Sequence, residues 1–99
     1  MEEKFVLKKP IKFEDVDYKE LKVDFDKLTG QDIIAAEKEA QSLNNALMMM
    51  ETSKIYQAII FAKASGISVD AVMKFYAKDF TRATVKAQTF LMEDLEEEE

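Results

Sequence analysis

The chain has 99 residues, 47% hydrophobic and 34% charged, with 7 Phe and 3 Tyr against 2 Gly and 1 Pro. That length favours a single core, and that composition excludes disordered and collagen-like chains. Neither Cys nor His occurs, which removes disulfides, thiol nucleophiles, zinc-finger ligands and imidazole bases, and the net charge is −6.

The opening residues read as strands. In KFVLKKPIKF (4–13) and YKELKVDF (18–25), apolar residues are interleaved with Lys, Glu and Asp, and from Leu21 the period is two, as in a half-buried strand. Pro10 has no amide to give a ladder, so it marks an edge or a break, and Glu14-Asp15-Val16-Asp17 supplies a polar reversal. The expectation is a β-hairpin over residues 4–26.

The period then changes. Thr29 can cap the first free amides of a helix while Asp32 reaches back, an acidic version of the capping box, and Ile33, Ala36, Glu37 and Ala40 follow at helical spacing. Ser42-Leu43-Asn44-Asn45 is the expected interruption. A second helix, from about residue 46 to 65, is apolar on most sides. Ile55, Ala58, Ile59 and Ala62 form one stripe with Tyr56, Ile60 and Phe61 beside it, so the helix belongs at the centre of the core or in a subunit contact. Gly66 is a left-handed stop, and Ser68 caps a further helix carrying Val69, Val72, Met73 and Tyr76. Phe80, Ala83, Ala87, Phe90 and Leu91 give a last helix one apolar face. The predicted fold is α+β: an N-terminal β-hairpin followed by a small bundle of three or four α-helices (29–92), one domain over residues 1–92, with 93–99 an acidic disordered tail.

Charge is distributed in blocks. Residues 1–51 hold 12 acids and 8 bases. Residues 52–92 hold Lys54, Lys63, Lys74, Lys78, Arg82 and Lys86 against Asp70 and Asp79. The closing EDLEEEE reads as a solubilising terminus ahead of a specific binding tail. No apolar run is long enough to span a bilayer and the first residues lack a signal-peptide pattern, so the expectation is an intracellular protein with no membrane partner.

Three local patterns carry functional readings. Ala62, Gly66, Ile67 and Val72 match the corner of a helix-turn-helix, yet the base-reading positions would be Ser68, Val69, Asp70, Met73 and Lys74, a poor set for reading bases. Two packed helices joined by a short turn need the same spacing, so the structural reading leads and a DNA-binding regulator is the alternative. Met48-Met49-Met50 suits either an adaptable binding surface or gap-filling in a small core. The pairs Asp15 with Asp17 and Asp24 with Asp26 read as solvated faces. Calcium-loop, P-loop, GxSxG and dinucleotide fingerprints are missing from the sequence, so neither an enzyme nor a cofactor is expected.

Taken together, Lys9-Pro10-Ile11, the strand from Tyr18 to Leu21, and Leu28-Thr29-Gly30-Gln31-Asp32 leading into Ala35, Ala36 and Glu37 resemble the opening of the small tail assembly chaperones of tailed bacteriophages and prophages. The resemblance covers roughly the first 40 residues closely. It implies a non-enzymatic factor of the host cytoplasm that coats the aggregation-prone tape-measure protein, helps present it to tail-tube subunits and is missing from the finished virion. It also implies that a longer form is made in many members by ribosomal frameshifting near the end of the gene.

Such a client calls for an adaptable apolar surface rather than a deep pocket. The candidate partner-binding residues are Met48, Met49, Ile60, Phe61, Phe80 and Phe90, with Lys54 and Lys63 flanking the groove. Self-association into a homo-oligomer is expected for the same reason: a surplus of apolar helix faces in a short chain.

Overall fold

A computed structural model of the chain describes residues 2–43 and 53–93. The fold is α+β, an N-terminal antiparallel hairpin followed, among the described residues, by four α-helices. Strand β1 (Glu3–Phe13) turns through Glu14 and Asp15 into β2 (Val16–Val23). Both turn residues have positive φ, 51° and 66°, the geometry of a two-residue hairpin loop whose twist matches its strands. The strand therefore resumes at Val16, earlier than the alternating run from Tyr18 suggests. It also stops earlier, because Asp24 accepts the amide of Asp26 and starts a short 3-10 turn (Phe25–Lys27) that takes Phe25 out of the sheet.

Pairing in the hairpin is not uniform. Glu3 to Val6 pair with Val23 to Glu20, and Ile11 to Phe13 with Tyr18 to Val16, so residues 7–10 stand opposite Lys19 alone. Pro10 lies in this wide bulge, the break its missing amide requires. Phe5, Leu7, Leu21 and Val23 are buried on the core side.

Helix α1 (Gly30–Leu43) begins with the expected reciprocal cap: the Thr29 amide donates to Asp32 Oδ2 at 2.8 Å and the Asp32 amide to Thr29 Oγ1 at 3.4 Å. Only Ala36 and Ala40 on it are buried. Helix α2 (Lys54–Ser65) is capped by Ser53, which accepts the Tyr56 amide. Residues 44–52 lie outside the described residues, and with them fall Asn44, Asn45 and the methionine triplet. Gly66 ends α2 at φ 73° as a left-handed cap.

Ser68 caps α3 (Val69–Met73) through the Ala71 amide, but this helix is a single turn of five residues. Tyr76 is not part of it. The amides of Lys74 and Phe75 close back on Ala71 and Val72, and Tyr76 in extended conformation becomes the cap of α4 (Ala77–Met92).

Helix α2 runs through the middle of the molecule, buried from Tyr56 to Ala62 and again at Ala64. Phe61 is the hub. Its ring meets Phe5 at 5.0 Å, Phe75 at 6.2 Å and Phe25 at 6.4 Å, and Phe25 stacks in turn on Phe90 at 5.0 Å. Edge-to-face and offset contacts of this kind add to the stabilisation that burial alone supplies.

Candidate partner-binding surface

The bulge in β1 frees two consecutive amides from the ladder, and α4 supplies their acceptor. Lys8 N–H donates to Asp79 Oδ1 at 3.1 Å and Lys9 N–H to Asp79 Oδ2 at 3.0 Å. Arg82, one turn further along α4, donates to Asp79 Oδ1 at 2.7 Å and to the Val6 carbonyl at 2.6 Å, with its guanidinium over the Phe5 ring. Asp79 is 1% exposed. Burial pushes its carboxyl pKa up, but the amides of Lys9 and Lys8 and the Arg82 guanidinium outweigh burial and hold it below the ordinary value. The carboxylate therefore stays charged and fastens the start of α4 to the hairpin. Around it Lys8, Lys9 and Lys78 rim a groove of about 490 Å³ floored by Tyr76 and Ala77.

The other end of α4 is fastened by rings. Phe90 stacks on Phe25 with planes 19° apart, and these two with Val85 form the apolar part of an open groove of about 440 Å³. Its rim is largely acidic: Glu3, Asp26 and Glu93, with Lys86 bonded to Glu3 at 3.1 Å. Val85 and Met92 are close to half exposed, at 45% and 47%. Seven residues apart, they share one face of the helix.

The family model described as phage tail assembly chaperone proteins, E, or 41 or 14, matches residues 4–92. The chain belongs to this chaperone family. Comparison with curated proteins and with solved structures returns no match. Among the described residues of the chaperone no helix is long and apolar enough to cross a membrane, and no group of three His, Cys, Asp or Glu could hold a metal ion.

The candidate residues do not form one groove. Ile60 and Phe61 are wholly buried, and offer a partner nothing in this fold, because α2 is covered by helices on one side and hairpin on the other. Lys54 and Lys63 stand nine residues apart, on opposite sides of α2. The Lys54 ammonium is tied to α4, donating to the buried Thr84 hydroxyl at 2.9 Å, whereas Lys63 lines a separate cleft with Ile67, Val69 and Asp70. Phe80 is half-buried against the core, and Phe90 lines the open groove at the end of α4. Met48 and Met49 lie outside the described residues.

The helix-turn-helix corner is present as a packing turn. Val72 is fully buried, Val69 packs against the core and the second helix stops after five residues, which leaves no recognition helix to enter a groove. Sequence reasoning missed Val85 and Met92, although their spacing of seven was a usable signal. It also missed Asp79, an acid set among Lys74, Lys78, Arg82 and Lys86.

Proposed function

We propose that this chaperone binds and shields the tail tape-measure protein in the bacterial host cytoplasm, presents it to tail-tube subunits without turnover chemistry, and stays out of the finished virion. The observation that supports this reading is the apolar face at the end of α4, where half-exposed Val85 and Met92 stand beside the groove of Phe25 and Phe90. A long helical client offers apolar stripes at matching three-, four- and seven-residue spacings. Met48 and Met49 are candidates to extend the surface, since flexible thioethers adapt to varied partners.

Burial of apolar area would supply the affinity, so the complex should persist in high salt. Co-expression with the tape-measure-like protein of the same locus, followed by size-exclusion chromatography at low and high salt, tests this. The large protein should become soluble and co-elute in both buffers, and the double variant V85D/M92D should lose it while keeping its helical circular dichroism. A client that stays insoluble beside the wild-type chain sinks the assignment.

A further inference from the structure

The groove at the start of α4 is cationic in a chain of net charge −6. Lys8, Lys9 and Lys78 rim it, and it continues past Lys78 toward Thr81 and Arg82. Asp79, the acid in its lining, is buried and already spent on two amides and Arg82. Among the described residues, the ion pairs join Lys4 to Glu20, Arg82 to Asp79 and Lys86 to Glu3, and none takes up Lys8, Lys9 or Lys78. Lys9 instead lies 4.9 Å from the centre of the Tyr76 ring, which is 54% exposed. An aromatic floor with an unneutralised cationic rim fits an acidic peptide that carries an apolar side chain.

The chain contains such a peptide. Helix α4 ends at Glu93 in extended conformation (φ −64°, ψ 137°), and Glu93 opens the run EDLEEEE, six acids around Leu95. We propose that the groove of Lys8, Lys9, Lys78 and Tyr76 receives the acidic segment beginning at Glu93 of a second copy of this chain, with Leu95 against Tyr76 and the carboxylates on the lysines. The contact is made between copies. Leu95 stands two residues past Glu93 and reaches about 7 Å from it, whereas the 16 residues of α4 separate the two ends by about 24 Å. Head-to-tail contacts of this kind propagate from copy to copy, into rings or open arrays.

The ammonium groups are exposed and it is the backbone amides that hold Asp79, so charge reversal at the lysines leaves the fold intact, which circular dichroism checks. In sedimentation velocity over a concentration series, wild type should self-associate at low salt and dissociate as salt is added. The groove variant K8E/K9E/K78E and the segment variant E93K/D94K/E96K should each weaken association about tenfold. Mixed together, the two variants should associate again, because each then offers the other a complementary pair. A labelled peptide of residues 93–99 should bind wild type and not the groove variant. A wild-type monomer at every concentration, association that survives either reversal, or a mixture that stays monomeric would overturn the proposal. So would binding of a labelled DNA duplex in place of the peptide. Loss of the tape-measure protein alone, with the mass series unchanged, would count against the proposed client and not against this contact.

Discussion

At its first turn α4 is fastened to the hairpin by a buried carboxylate, and at its last turn to the 3-10 turn by two stacked rings. The polar anchor is directional: two amides and one guanidinium converge on Asp79, so the bulge and its lysines are held in one geometry. The ring stack is not. Phe25 and Phe90 keep their attraction through small slides, and an apolar groove re-forms around altered shapes more readily than a hydrogen-bonded one. The lesson is a division of labour within one helix, a fixed charged rim at one end and a compliant apolar face at the other. The fixed end suits one defined sequence, and the compliant end suits a long client presenting many.

Removing Asp79 gives the largest expected effect. Asp79→Ala strands two amides and removes one of the two Arg82 hydrogen bonds, and should cost about 3 kcal/mol, read as a lower urea midpoint. A loss below about 1 kcal/mol would mean that strand pairing alone holds the bulge. The same carboxylate sets a pH dependence. Its folded pKa lies below the unfolded one, so between the two values the unfolded chain binds more protons and stability rises with pH. The contribution is complete above about pH 4 and drains away as pH falls through the folded value. Asp32, lowered by the Thr29 amide, acts in the same direction. Urea midpoints taken from neutral pH to pH 3 should therefore fall more steeply for wild type than for Asp79→Asn. Parallel curves would remove Asp79 from the acid response.

Phe90→Ala comes next, at about 2 kcal/mol, since a half-buried ring loses its partner and part of its buried area but strands no polar group. It should also weaken capture of the tape-measure protein while leaving the mass series of self-association unchanged. If it disturbs self-association as much as client capture, the two ends of α4 are not separate devices.

How much of this was legible from the residues follows the range of the interactions involved. The capping box at Thr29 and Asp32, the left-handed stop at Gly66 and the Ser68 cap each lie within a few residues, and each appears where its local chemistry puts it. The break at Pro10 was legible because a missing amide is a property of the residue alone. The size of the bulge was not, for its acceptor lies about 70 residues downstream on α4. Ile60 and Phe61 illustrate the converse error: an all-round apolar helix fits a core or an interface equally well until its neighbours are placed. Lys54 looked like a free flank because nothing local announces Thr84.

The smallest expected effect lies at the hairpin turn, remote from both ends of α4. Glu14 and Asp15 both adopt positive φ without being glycine, a conformation that crowds their Cβ atoms. Asn-Gly suits that loop better, so the double variant E14N/D15G should gain about 0.5–1 kcal/mol. For a domain of this size such a gain appears as a rise in Tm of about 3–6 °C. The turn stands about 17 Å of strand beyond Lys9, so neither client capture nor self-association should change with it. A gain in Tm without a change in either would show that global stability and the two grooves vary independently. A change in self-association would instead mean that the distal hairpin, and not the lysine rim alone, belongs to the contact between copies.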